Sequence, residues 1–141
     1  MVFEGLGFTF NVIAAASGVH IPMSRAQVIS FVTFEDDGST ILTLKESIGG
    51  ASEQNLVKID RFWKSPGIGG AWTEVTQTAA ATADLADDTT NDSMVVTIRA
   101  RQLSDGFDSV EATVDGGICI AVIYSLAEMA NPSSLPSNLV V

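Results

Sequence analysis

The sequence predicts an all-β fold, a single-domain β-sandwich or small β-barrel of about seven strands with extended termini. Three observations support this prediction. Apolar residues recur with a period of two, which is typical of half-buried strands, and rarely with the helical period. Clusters of Asp, Gly, Ser and Pro interrupt these runs at short intervals. The chain of 141 residues is 46% hydrophobic, which suffices for one domain with its own core.

The predicted strands follow one another along the chain and are separated by turn signals. The alternating runs cover residues 27–34, 40–46, 56–63, 72–78, 94–101, 110–114 and 118–124. The first two runs flank Asp36-Asp37-Gly38-Ser39 and the last two flank Asp115-Gly116-Gly117, so each pair is predicted to form a hairpin. The last run is apolar on both faces, which predicts a central strand that is covered on both sides.

The remaining stretches are less regular. Residues 1–24 are expected to form an N-terminal strand or arm with a turn at Gly18, residues 25–130 a β-rich core domain, and residues 131–141 an extended C-terminal tail. The Ala-rich stretch 78–85 predicts a short helical turn, because Ala is the best helix former. The aspartates that follow it, up to Asp92, predict a solvated loop.

The charge balance excludes several kinds of partner. The net charge is −10, from 17 acidic and 7 basic residues, and the bases are scattered along the sequence. Neither nucleic acid nor an anionic membrane surface is therefore an expected partner. Every apolar run is shorter than the roughly 18 residues of a membrane span. The N-terminus lacks the basic and apolar regions of a signal peptide, so no export leader is expected.

Few residues offer chemistry. His20 is the sole histidine, no Gly-x-Ser-x-Gly elbow accompanies it, and a zinc site needs several ligands, so a structural or surface histidine is expected. Cys119 is the sole cysteine, which excludes an intrachain disulfide, and its apolar neighbours predict an inert core residue. The carboxylates at 35–37 and 84–92 depart from the calcium-loop pattern and suit solvated loops. No catalytic, cofactor-binding or metal-binding residue is predicted.

Two features instead suggest contact with a partner. Trp63 and Trp72 flank a Pro- and Gly-rich loop, where they either form a binding ridge or close a hairpin against the core. The tail is interrupted by two prolines and ends in apolar residues, which either fold back on the domain or add to the sheet of a neighbour. The apolar residues of the tail are Leu135, Leu139, Val140 and Val141.

Several short stretches together resemble a known class of protein. They are Thr-Leu-Lys-Glu-Ser at 43–47, Trp-Thr-Glu-Val at 72–75 with the Ala/Thr/Asp run after it, Asp-Gly-Phe-Asp-Ser-Val at 105–110, and Pro-Ser-Ser-Leu at 132–135. In this pattern the chain resembles small capsid decoration (cement) or auxiliary head proteins of tailed double-stranded-DNA bacteriophages.

The resemblance implies a non-enzymatic, β-rich virion protein that is made in the host cytoplasm and binds the major capsid protein on the capsid surface. It also implies a homo-oligomer, with a trimer favoured, and no cofactor. Two alternatives stay open at this point. One is a tail-tube, tail-terminator or head–tail connector protein, and a more distant one is a carbohydrate-binding β-sandwich, which would need clustered aromatic residues.

Overall fold

The computed structural model describes residues 10–24, 26–35, 40–85 and 90–126, and it confirms the all-β, sandwich-like fold. Eleven strands lie in these ranges, more than the sequence pattern indicated, because several are very short. The strands are β1 (Phe10–Ala14), β2 (Ile21–Pro22), β3 (Ala26–Phe34), β4 (Ile41–Ile48), β5 (Ala51–Asn55), β6 (Ile59–Ser65), β7 (Thr73–Ala80), β8 (Thr82–Asp84), β9 (Ser93–Arg99), β10 (Ser109–Val114) and β11 (Ile118–Leu126). A short 3-10 helix (Ala100–Gln102) follows β9.

The strands form two antiparallel sheets. The six-stranded sheet has the order β1-β11-β3-β9-β6-β7, and the five-stranded sheet has the order β2-β10-β4-β5, with β8 also paired to β4. In the smaller sheet β4 is the centre, because β10 lies along one edge of it while β8 and β5 share the other. Within the N-terminal segment, β1 covers Phe10–Ala14, and the turn that follows contains Gly18 with φ +80°.

The core lies between the inner faces of the two sheets. Alternation along each strand places one set of side chains inward, as the pattern of β9 predicted for Met94, Val96 and Ile98. Phe31 is the largest side chain that is fully buried. The other large residues of this core are Ile21, Ile29, Leu42, Leu44, Leu56, Ile59, Phe62, Leu85, Val110 and Ile123.

Both predicted hairpins that flank acidic turns are wrong. β3 belongs to the six-stranded sheet and β4 to the other, and the same is true of β11 and β10. The two connections therefore cross from one sheet to the other. The start of β4 contacts the turn before β11, since the Ile41 backbone N–H donates to Asp115 Oδ1 at 2.7 Å and the Thr40 hydroxyl donates to the Gly116 carbonyl at 3.3 Å. Alternating strands with a turn between them look the same in sequence whether they pair directly or face each other across the core.

Two further predictions are corrected. The Ala-rich stretch 78–85 is not helical. It contains the end of β7 and all of β8, and β8 pairs with β4. Helix propensity is a weak preference that sheet pairing overrides here. The strand β11 lies between β1 and β3 as predicted, yet its outward face is only partly covered. Cys119, Ala121 and Ile123 are buried, whereas Ile118 is 65% exposed.

Candidate functional site

The outer face of the six-stranded sheet is unusually apolar. The outward side of an exposed sheet normally carries polar residues, because only the inward side packs on the core. Here Phe34 on β3 is 48% exposed, and Ile118, its partner in the register of β11, is 65% exposed. The residues of this outer apolar face are Val12, Val32, Phe34, Trp63, Val95, Ile118, Ile120 and Val122.

The strand registers show that these side chains form a continuous surface. Ile120 pairs with Val32, Val32 with Val95, and Val95 with Trp63 across four neighbouring strands. Directly opposed residues project to the same face with their Cβ atoms about 5 Å apart. One apolar row therefore crosses the sheet from β11 to β6. An apolar patch of this extent on the surface of a domain is typical of a contact with another protein.

The two tryptophans that the sequence singled out are both half-exposed. Trp63 is 42% and Trp72 49% exposed, and they flank the antiparallel β6–β7 hairpin loop. They line separate hollows: Trp63 borders a groove of about 550 Å³, and Trp72 borders one of about 490 Å³ together with Phe34 and Ile68. Neither side chain is sealed against the core, so both are available to a partner.

The groove beside Trp63 is strongly basic. Four of the seven basic residues in the chain line it, namely Lys58, Arg61, Arg99 and Arg101. Asp60 is the one acid among the described residues of that lining, which together carry a formal charge of +3 (four bases less one acid) on a chain whose net charge is −10. Residues that are scattered in the sequence thus converge in space. The positive charge of this groove is complementary to a partner surface that carries acidic side chains.

A second cluster lies on the outer face of the five-stranded sheet. His20, only 5% exposed, directs Nε2 to two carboxylates: Glu53 Oε1 at 3.2 Å and Glu111 Oε2 at 3.4 Å. Its Nδ1 lies 3.1 Å from Ser47 Oγ. Glu111 is buried and also accepts a hydrogen bond from the Gly18 backbone N–H at 2.9 Å, while Lys45 Nζ lies 3.3 Å from Glu53 Oε2.

The backbone explains how these residues meet. Val110 on β10 pairs with Ile21 on β2, and both face the core, so their neighbours Glu111 and His20 both project outward. Glu53 comes from β5, which returns along β4 after a tight turn at Gly49 and Gly50, both with positive φ. Three distant parts of the sequence supply the cluster, namely the segment before β2, the β4–β5 hairpin and β10, and for that reason no local motif indicates it.

A third polar group is the buried side chain of Glu46 on β4, which contacts the loop that follows β9. Its two oxygens accept hydrogen bonds from Gln54 Nε2 at 2.6 Å and from the Ser104 backbone N–H at 2.8 Å. Burial acts to raise the pKa of the Glu46 carboxyl, but the hydrogen bonds from Ser104 and Gln54, with the nearby charge of Lys58, together hold its pKa below the ordinary value. Glu46 is thus a structural carboxylate.

Among the other candidate residues from the sequence, Cys119 lies in the described part of the structure and the residues of the tail do not. Cys119 is buried, as expected of a core residue, and burial raises the pKa of its thiol. Leu135, Leu139, Val140 and Val141 lie outside the described residues, and so do 36–39 and 86–89 in the two acidic clusters. No helix among the described residues is long and apolar enough to cross a membrane.

Comparisons with protein families, with curated proteins and with solved structures find no match for this chain.

Proposed function

We propose that the protein is a non-enzymatic structural component of a phage virion, which binds the major capsid protein on the head surface and stabilises the shell. The observation that supports this proposal most is the outer apolar face, because it exposes large side chains in a continuous patch on one side of the domain. Covering such a patch with another protein removes it from water, and each buried Å² contributes roughly 25 cal/mol.

The charges suggest how the contact is oriented. The basic groove continues from the outer apolar face, since Trp63 and Val95 belong to both. A capsid subunit with an acidic edge beside an apolar surface would fit both parts at once. The rest of the chain is strongly acidic, which suits an exterior position away from the packaged DNA. The proposed role requires added contact area between neighbouring capsid subunits, and it requires no bond chemistry. A homo-oligomer, with a trimer favoured, would repeat this contact around a symmetry axis.

Co-sedimentation with capsids tests the proposal. Capsids of the encoding phage that lack this protein are mixed with the purified chain and pelleted. Phe34→Lys should weaken capsid binding about 30-fold, since placing a charge within an apolar contact costs about 2 kcal/mol or more. Ile48→Lys is the matched control, because Ile48 is 47% exposed against 48% for Phe34 but lies on the other sheet. Far-UV circular dichroism and thermal melts establish that both variants fold.

Two results would reject the proposal. If the wild-type chain does not pellet with capsids, or if the two variants bind equally well, the outer apolar face is not a capsid-binding surface. Electron microscopy of purified particles distinguishes the alternative of a tail-tube, tail-terminator or connector protein. That alternative predicts rings or tubes of the isolated chain and a location below the head.

A further inference from the structure

We propose that His20, Glu53 and Glu111 form a binding site for one zinc ion, which clamps the segment before β2 and the edge strand β5 onto β10. This site is independent of the capsid-binding proposal, because it lies on the opposite sheet. It also departs from the expectation that a single histidine excludes a zinc site, since here two carboxylates complete the ligand set.

The distances match a tetrahedral ion. Zinc binds imidazole nitrogen and carboxylate oxygen at about 2.0–2.1 Å, so two ligand atoms of one tetrahedron lie about 3.3–3.4 Å apart. His20 Nε2 lies 3.2 Å from Glu53 Oε1 and 3.4 Å from Glu111 Oε2. All three ligand atoms lie within 4.8 Å of one another. Glu53 is long and its side chain is 35% exposed, so it can close the remaining gap and leave room for a water as fourth ligand.

The surroundings orient the ligands as in known metal sites. Metal-binding histidines nearly always donate their second N–H to a neighbouring acceptor, which fixes the tautomer. Ser47 Oγ lies 3.1 Å from His20 Nδ1, which places it in position to accept this hydrogen bond when Nε2 binds the ion. With the proton on Nδ1, the Nε2 lone pair faces two carboxylate oxygens, and three electron-rich atoms then converge on one point. Glu111 is 2% exposed and His20 5% exposed, and the neighbouring Lys45 contacts the other oxygen of Glu53 (Oε2), so a cation between the three ligand atoms would offset the cost of burying them.

The ligand types select the metal. Calcium takes six to eight oxygen ligands at about 2.3–2.6 Å, and magnesium keeps an octahedral shell of oxygens and waters. A site with one imidazole and two carboxylates in a small, largely buried space suits zinc better, and Co²⁺ can replace zinc as a spectroscopic probe. Two carboxylates balance the charge of a divalent ion, and Lys45 Nζ contacts Glu53 Oε2 rather than the proposed ligand atom, Glu53 Oε1.

Zinc titration of the full chain tests the proposal. After chelator treatment and buffer exchange, isothermal titration calorimetry with zinc chloride should report one bound ion per chain. A thermal melt at a free zinc concentration of 100 times the Kd should show a rise of about 8 °C in Tm. Co²⁺ should give the intense visible absorption of a four-coordinate site. Glu53→Gln should lower zinc affinity by more than about 100-fold, because even second-shell changes cost 10–100-fold.

The control variant is Glu74→Gln. Glu74 is as exposed as Glu53, 36% against 35%, but it lies on β7 of the other sheet. It should bind zinc like the wild type. The proposal is overturned if the wild type neither binds zinc nor gains thermal stability. It is equally overturned if Glu53→Gln binds zinc as tightly as Glu74→Gln does, because the ion then binds elsewhere.

Discussion

Replacing Glu46 with Gln should destabilise the protein at neutral pH and much less in acid. Glu46 is 1% exposed, and its carboxylate accepts one hydrogen bond at each oxygen, from Gln54 and from the Ser104 backbone. Glutamine keeps the shape of the side chain but retains only one oxygen. One of the two donors then faces an NH₂ group and loses its acceptor, in a place where water cannot replace it.

The magnitude follows from these contacts. A hydrogen bond to a charged group contributes about 1.5–3 kcal/mol, so the variant should lose about 2 kcal/mol at pH 7. For a chain of this length that corresponds to a fall of about 6 °C in Tm. Because the folded-state pKa of Glu46 is lowered from its ordinary value of 4.5, its stabilising contribution is complete above that value and is lost as the pH falls towards the folded pKa. The difference between the two proteins should therefore shrink below about pH 4.

Urea denaturation from pH 7 down to pH 3, followed by tryptophan fluorescence, measures this difference. Glu74→Gln serves as the control, because Glu74 is partly exposed on β7 and should change the free energy of unfolding by less than about 0.5 kcal/mol. If Glu46→Gln loses the same free energy at pH 7 and pH 3, the carboxylate is not held ionised by Ser104 and Gln54, and the reasoning fails.

Three other predictions follow. Cys119 should react with a thiol reagent only as fast as the protein unfolds, because burial raises its pKa and blocks access; rapid labelling of the folded chain would contradict this. Asp115→Ala should lose about 1 kcal/mol in urea denaturation, because it removes the acceptor of the Ile41 N–H, whereas the exposed Asp105→Ala should lose almost nothing. Deleting residues 131–141 should weaken capsid co-sedimentation while circular dichroism shows a folded domain. Unchanged co-sedimentation would show that the tail does not bind the capsid.

Sequence periodicity predicted the strands well where each has one buried face. The inward positions of β9, Met94, Val96 and Ile98, and of β10, Val110 and Ala112, are buried as expected. This works because side chains alternate strictly along a strand, so burial on one face appears directly in the sequence. It failed for β11, where apolar residues on both faces predicted two covered sides although one side is the outer apolar face.

The sequence did not predict which strands pair with each other. The predicted pairing of β3 with β4 and of β10 with β11 is wrong, because each connection crosses the sandwich. The candidate sites also depend on which strands pair. Lys58, Arg61, Arg99 and Arg101 meet only because β6 and β9 are neighbours in one sheet. The spacing of these four bases along the sequence therefore does not indicate that they lie together in the folded protein.

The all-β class, the positions of most strands and the inert setting of Cys119 could be predicted from the sequence, because they depend on residue type and on alternation within a few neighbours. The pairing of the strands, the location of the outer apolar face and the contact of His20 with Glu53 and Glu111 became evident only in the folded chain. Those features depend on contacts between residues that are far apart in the chain, such as His20 and Glu111. Their energies come from packing and hydrogen bonding across the two sheets, which local sequence patterns do not encode.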